Sequence, residues 1–315
     1  MGSIGFDHII SIIPSFKQEL PLDNGELNKV NMTFVSSTDT KIIYGGTGSN
    51  IAYSHALINS NVLLFSAVGN DFKSTMGREL ATMGVDDRTV VFDRDTARSL
   101  QITDSAGEQM IVWQPNAYEH IGELSLNETI SSTEIEHCDQ AIFSPGTPQS
   151  TIKHLKNYRV ANDNGIAYFD PGQMVNHYSK EIFEECCKLS NVILANEVEM
   201  SKIEKAFGFS IPDLQHNLDL DVIITLGDAG SKILTANEVI HVISYTEGID
   251  DSITLEGTGA GDAYRGALLG ARNHGLDLVE AAKVGSVIGG LCVRHPGGQL
   301  HKINWEHAKE LAQKL

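Results

Sequence analysis

Glu256-Gly257-Thr258-Gly259-Ala260-Gly261-Asp262 runs straight into Ala263-Tyr264-Arg265-Gly266-Ala267-Leu268-Leu269, and the rest of the chain is read outward from this stretch. Its three glycines and one alanine let backbone N–H groups converge without side-chain interference. A helix that starts on them adds the positive end of its dipole, so the loop suits an anion. An acid at the same point stands beside that anion hole, placed to take a proton from an attacking hydroxyl. Phosphoryl transfer needs those two parts side by side. Other glycine-rich loops fit less well. A dinucleotide GxGxxG would need glycine where Asp262 stands, and no GxxxxGK[ST] occurs anywhere. Local sequence alone leaves a plain helix N-cap as the alternative role for Asp262.

Outward from that loop, short apolar runs alternate with helical patterns. Runs over 3–10, 62–68, 140–143, 165–169, 192–195 and 222–226 have strand length and are bounded by Gly, Pro, Asn or Asp. Helical patterns follow over 49–59, 73–83, 150–158, 179–189 and 197–207, and 261–273, 276–294 and 305–314 make the last third mostly helical. The alternation predicts an α/β fold, a doubly wound, mostly parallel sheet flanked by helices. The rhythm breaks at 29–36, and at 97–103 with 109–114, which alternate as strands, the latter two joined by a turn over 104–108. These predict a small antiparallel β lid inserted from about 11–40 and 95–118 into a single domain of 315 residues. A lid suits phosphoryl transfer because water must be kept out; an edge extension of the main sheet is the plainer alternative.

Composition narrows the class. The chain is 41% hydrophobic and 20% charged, enough for a real core. Lys plus Arg is 23 against 41 for Asp plus Glu, a formal net charge of −18. A field of that sign disfavours non-specific binding to nucleic acid or anionic membrane, so neither is expected as a partner. A nucleotide user this acidic has to build a local positive site, and Mg²⁺ with a helix N-terminus is the simplest. Cys138, Cys186, Cys187 and Cys292 form no CxxC pair and no zinc pattern. Cys186 and Cys187 are expected to pack a helix through Ile182, Phe183, Cys186 and Leu189, with a redox pair as the alternative. A reduced, cytoplasmic setting follows. No signal sequence or membrane-length apolar stretch is visible, and Phe6 stands where a myristoylation motif needs Ser or Thr.

The Glu256–Asp262 segment resembles the D-T-x-G-A-G-D signature of the ribokinase-like (PfkB) sugar and nucleoside kinases. The resemblance implies that Asp262 is the catalytic base and that the Gly259, Ala260 and Gly261 amides form the anion hole. Glu256 and Gly257 depart from the family's Asp and Thr. Four further stretches resemble the family in order. Gly45-Gly46-Thr47-Gly48-Ser49-Asn50-Ile51-Ala52 is similar to G-G-x-x-x-N-x-A. It implies that Gly45 and Gly46 admit a ring-shaped substrate and that Asn50 meets its hydroxyls; a helix N-cap explains Ser49 or Asn50 as well. The 61–71 stretch, ending Ala67-Val68-Gly69-Asn70-Asp71, resembles the next strand and its G-x-D turn. Asn196-Glu197-Val198-Glu199 is similar to N-x-x-E, implying Asn196 near ATP phosphates and Glu199 on Mg²⁺ through water. Thr225-Leu226-Gly227-Asp228-Ala229-Gly230-Ser231 resembles T-x-G-x-x-G, with Thr225, Gly227 and Gly230 lining the ATP site. Asp7, an acid in the first strand, needs a partner or a function; the family implies a grip on two sugar hydroxyls.

Within that family the chain is similar to the microbial adenosine and nucleoside kinases. The residues that carry this are Gly2–Ile9, Gln101-Ile102-Thr103 with Pro115-Asn116-Ala117-Tyr118, Phe169-Asp170-Pro171-Gly172-Gln173, and Gly285-Ser286-Val287 with Gly297-Gly298-Gln299-Leu300-His301. Asn116 and Tyr118 replace the usual Gly and Met of the lid. A nucleoside kinase also needs an apolar slot for the base. Phe16, Phe34, Trp113 and Tyr118 are candidates for it, each equally at home in a lid core, and Gln101 is a candidate for reading a base or ribose edge. The expectation is transfer of the ATP γ-phosphoryl group, with Mg²⁺, to the 5′-hydroxyl of a ribonucleoside. A ribose or fructose kinase is the alternative, and a nucleoside-binding protein without turnover a distant one. The base, ATP against GTP as donor, a monovalent-cation requirement, and monomer against homodimer stay open.

Overall fold

The chain's structure, a computed structural model, describes residues 1–13, 15–19, 22–23, 26–27, 34–36, 38–59, 61–106, 108–236, 238–247 and 257–315. Most of the strand expected over 29–36 and Glu256 of the glycine loop lie outside them.

The larger sheet has six strands in chain order: Gln140–Phe143, Ile166–Phe169, Val192–Asn196, Asp221–Thr225, Ser231–Leu234 and Val239–Val242. The first four run parallel and the last two turn back antiparallel. Side chains alternate between two faces with period two, and each face has its own core. Phe143, Phe169, Ile193, Ala195, Val222 and Ile224 point into one core, closed by helices Pro148–Ala161, Lys180–Lys188 and Glu197–Phe207. Ile142, Tyr168, Val192, Leu194 and Ile223 point into the other, closed by Thr47–Ile58, Ala260–Asn273 and Leu278–Cys292. The expected α/β fold with helices on both faces is what forms. Cys186 and Cys187 are fully buried free thiols in the first core, beside Phe183.

The second sheet carries the first strand, Gly5–Ile13. It pairs in parallel with Ala97–Thr103, which pairs antiparallel with Gln109–Gln114. Mixed pairing follows from this: the 97–103 strand is antiparallel on one side only. On its other side the first strand takes Lys41–Gly45 antiparallel, and beyond Ile12 it takes the short strand Val35–Ser36. The 41–45 strand, Lys-Ile-Ile-Tyr-Gly, was not foreseen, because it has neither Gly nor Pro punctuation at its start. The run over 62–68 breaks into Val62–Leu64 and Ala67–Val68, each with its own parallel partner, Val85–Asp87 and Val90–Val91. Helix 73–83 shortens to Met76–Thr82, because residues 71–75 form turns.

Residues 1–3 join the two sheets. The Met1 ammonium donates to the Ile142 carbonyl at 2.8 Å, Ser144 N donates to Met1 O at 3.0 Å, and Ser66 Oγ donates to Gly2 O at 2.7 Å. The carboxyl ends of the parallel strands therefore open beside Asp7, where α/β sheets bind ligands.

Candidate active site

Four elements converge at that edge. Gly259, at φ 83°, caps the helix Ala260–Asn273, and a Cβ there would stand 2.5 Å from Gly298 Cα. Only glycine meets both demands. The cap puts Asp262 in the first helical turn, half-buried. Asn50, in the helix Thr47–Ile58, donates from Nδ2 to Asp262 Oδ2 at 2.9 Å. The two helices approach this closely because Gly266 faces the Ile51 carbonyl and Ser54, with no room for a side chain. Asp262 is therefore not the helix cap: its carboxylate instead receives a bond from a second element. Burial pushes its pKa up to about 6, against the pull of Arg265 and the Asn50 bond, while the Asp7 and Glu199 carboxylates push it the same way as burial.

Of the three expected hole amides, that of Ala260 turns back onto the Gly257 carbonyl at 3.2 Å. Among the described residues no backbone carbonyl takes those of Gly259 and Gly261, as befits a helix N-terminus.

Asp7 sits at the site edge of the first strand and is buried. Ser99 Oγ donates to its Oδ1 at 2.5 Å, and Gln101 Nε2 donates to Ser99 Oγ at 3.1 Å. Burial raises the Asp7 pKa and the Ser99 bond opposes it. A Cβ on Gly45 would collide with the Asp7 carboxylate, so glycine there keeps the acid's approach clear. Gly46 follows at φ 92°. Register extends the Asp7–Ser99 pair to Trp113, on the same face of the sheet, with Gln101 opposite Ile111 one step along.

Arg265 and Asp170 were not foreseen as site residues. Arg265 Nε lies 2.7 Å from Asp170 Oδ2, with both side chains almost wholly buried. Burial raises the Asp170 pKa, Arg265 opposes it, and the Glu199 and Asp262 carboxylates add to the rise. The signal was present: a charge three residues after Asp262, in a helix otherwise lined by Ala263, Tyr264, Ala267 and Leu268, has to find a buried partner.

Asn196 and Thr225 are paired neighbours at the ends of adjacent parallel strands. Asn196 caps the helix Glu197–Phe207: its Oδ1 accepts from Glu199 N at 2.8 Å, and Glu199 Oε2 accepts from Asn196 N at 2.9 Å. This capping box fixes a buried carboxylate beside Asp262 and Asp170. Among the described residues no cluster of three or more His, Cys, Asp or Glu could hold a metal ion directly. Glu199, with one oxygen already engaged, fits a hydrated ion held through water. Gly227 and Gly230 bracket a single turn, closed by Leu226 N donating to Gly230 O at 2.8 Å.

The four aromatic candidates separate. Tyr118 is buried in the main core and donates to Pro145 O at 3.1 Å, and Phe16 stacks edge-on with Phe34 at 5.6 Å. Trp113 alone is well exposed, at 45%, and its ring lies 3.6 Å from where a Gly5 Cβ would be.

The fold and this cluster of acids define a kinase of the ribokinase type. The chain belongs to the pfkB family of carbohydrate kinases, whose model matches residues 29–305. It is 28% identical over 285 residues to a nucleoside kinase of Methanocaldococcus jannaschii, across 90% of this chain and 89% of that protein. To a nucleoside kinase of Methanothermobacter thermautotrophicus it is 26% identical over 307 residues, covering 95% and 90%. It is 25% identical to a ribokinase of Haemophilus influenzae, covering 95% and 92%. Among solved structures, the M. jannaschii nucleoside kinase aligns with a TM-score of 0.82 at 25% identity, over 100% of this chain and 97% of that one. A Burkholderia thailandensis nucleoside kinase in complex with inosine aligns at 0.81 and 22% identity, over 99% and 96%. The protein is therefore a phosphotransferase that acts on a hydroxyl group of a nucleoside or sugar. No helix of the described residues is long and apolar enough to cross a membrane.

Proposed function

We propose that the protein transfers the γ-phosphoryl group of ATP to the 5′-hydroxyl of a ribonucleoside. The observation that carries this reading is the row Asp7–Ser99–Trp113, which runs from a buried acid to an exposed indole on one face of the sheet. A nucleoside has the same layout, vicinal hydroxyls at one end and an apolar ring at the other.

In this reading Asp7 accepts hydrogen bonds from the 2′- and 3′-hydroxyls, with Ser99 and Gln101 holding its carboxylate in place. Asn50 offers its remaining N–H to the same ribose, and Gly45 and Gly46 let the ring come close. Asp262 Oδ2 is held by Asn50, and Oδ1 takes the 5′-OH proton as that oxygen attacks. Its raised pKa suits a general base working near neutrality. The Gly259 and Gly261 amides face the transferring group, and Asn196, Thr225, Gly227 and Gly230 flank the rest of ATP. Glu199 would hold Mg²⁺ through water, and the ion, bound with ATP, would supply neutralisation of phosphate charge. The sheet formed by 97–103 and 109–114 acts as the lid, belonging with the rest of the chain to one domain.

The test is ADP release from ATP–Mg²⁺ with adenosine, inosine, guanosine, cytidine, ribose and fructose as acceptors. Turnover on nucleosides that disappears in Asp262→Asn supports the reading. Turnover on free sugars alone makes the protein a sugar kinase, with Trp113 idle.

A further inference from the structure

Both ends of the Asn50 amide are engaged. Nδ2 donates to Asp262 Oδ2 at 2.9 Å, and Oδ1 accepts from Gln299 Nε2 at 2.9 Å. Asn50 and Gln299 are both buried, 249 residues apart in sequence. An amide rotated by 180° would turn its oxygen toward Asp262, and a carboxylate can only accept. The sense of the Asn50 amide therefore matters, and three features fix it. The Asp262 carboxylate calls for a donor. Gln299 Nε2 also lies 3.8 Å from Met76 Sδ, a weak acceptor, so the nitrogen end of Gln299 faces both neighbours. Gly298 brings the 297–299 segment flush against Asn50, since a Cβ there would stand 2.5 Å from Asn50 Cγ.

We infer that Gln299 is a positioning residue for phosphoryl transfer: it locks the Asn50 amide in the one sense that donates to Asp262, and so holds the carboxylate in its working orientation. This rests on the reading of Asp262 as the base. The other groups acting on Asp262 are Arg265 on its own helix, Asp7 on the first strand, Glu199 on the helix Glu197–Phe207 and Asp170 just after the strand Ile166–Phe169. Three of these four are carboxylates that favour protonation. The Asn50 bond is one of the few contributions keeping Asp262 ionised, and without Gln299 only the Asp262 carboxylate itself favours that sense of the Asn50 amide.

Two variants separate this role from simple packing. Gln299→Met keeps the length and apolar stem but removes the donor, leaving Asn50 free in either sense. Gln299→Glu keeps the shape and, where ionised, presents only acceptors, drawing Asn50 Nδ2 to itself and turning Oδ1 onto Asp262. The first readout is the titration of the Asp262 carboxyl in the ligand-free protein, by NMR of carboxyl-labelled aspartate with Asp262→Asn for assignment. The second is the acidic limb of the kcat–pH profile. The titration midpoint and the limb are expected to move to higher pH in both variants, further in Gln299→Glu. At neutral pH kcat falls about tenfold in Gln299→Met and about a hundredfold in Gln299→Glu, the range of one lost or reversed bond to a charged group. Packing alone predicts the reverse order, because the Glu variant preserves volume best. A midpoint that stays in place in both variants overturns the inference, as does a kcat loss with no movement of the limb. If Gln299→Glu does not fold, Gln299→Met carries the same test. Failure of every nucleoside as acceptor would bring down the proposed function while the ligand-free titration still decides the role of Gln299.

Discussion

The two ends of the Asp7–Ser99–Trp113 row are built in opposite ways. At one end Asp7, Ser99 and Gln101 are buried and joined by hydrogen bonds, and a second set joins buried Asn50 to Asp262 and Gln299. At the other end Trp113 is 45% exposed and Ile111 58%, on a sheet whose outer strand has no further partner among the described residues. A buried polar network tolerates few substitutions, because any group left unpaired there costs its full desolvation penalty. An exposed aromatic on an outer strand tolerates many. On the proposed function, the chemistry resides in this satisfied interior and the choice of acceptor is left to a surface that can vary.

The sharpest way to break that contrast is Asp262→Asn. Turnover is expected to fall about 10²–10⁴-fold, with nucleoside affinity by calorimetry close to that of the wild type; near-full activity would move the base elsewhere. Arg265→Met probes the same interior through stability. Leaving Asp170 buried without its cation should cost about 3–5 kcal/mol, read by chemical denaturation, and an unchanged midpoint would mean that Asp170 is neutral in the folded protein. Asp7→Ala should weaken nucleoside binding by about tenfold or more, the worth of a hydrogen bond to a charged group; unchanged affinity would remove the ribose from the row.

A smaller effect has a definite sign with pH. The folded-state pKa of Asp262 is raised by burial to about 6, so its ionisation destabilises the fold as pH rises through that value. Asp262→Asn lacks this penalty. Its melting temperature relative to the wild type should be flat below about pH 4 and rise by about 2–4 °C between there and neutrality. A difference independent of pH would show that the wild-type acid is not strained. Trp113→Ala should do least: no change in melting temperature, and a several-fold loss of kcat/KM for nucleosides but none for free ribose. Equal losses on both acceptors would dissolve the distinction between the two ends.

Much of the fold was legible because it is written locally. Short apolar runs bounded by turn residues gave the parallel strands, and the glycine loop ahead of an apolar helix marked the centre of the candidate site. The misses have physical causes. The run over 62–68 reads as one strand by hydrophobicity, but it divides because its halves pair with different partners. Lys41–Gly45 is a strand because the first strand needs a neighbour, not because of its own punctuation. Tyr118 was read as a lid residue, yet its ring lies in the main core with its hydroxyl on Pro145. Gln299 stood in a stretch that resembled the nucleoside kinases, without any role attached; a lone amide shows its use only when its partner is known.

Sequence alone determined the layered α/β order, the loop-to-helix motif and an acid at its first turn, because each depends on residues within a few positions of one another. The tertiary structure alone decided which side chains meet that acid. Asn50 reaches Asp262 across 212 residues, Gln299 reaches Asn50 across 249, and Arg265 reaches Asp170 across 95. Hydrogen bonds need donor and acceptor within about 3 Å and correctly turned, and separations of that kind are set only when helices and strands pack, not by any pattern along the chain.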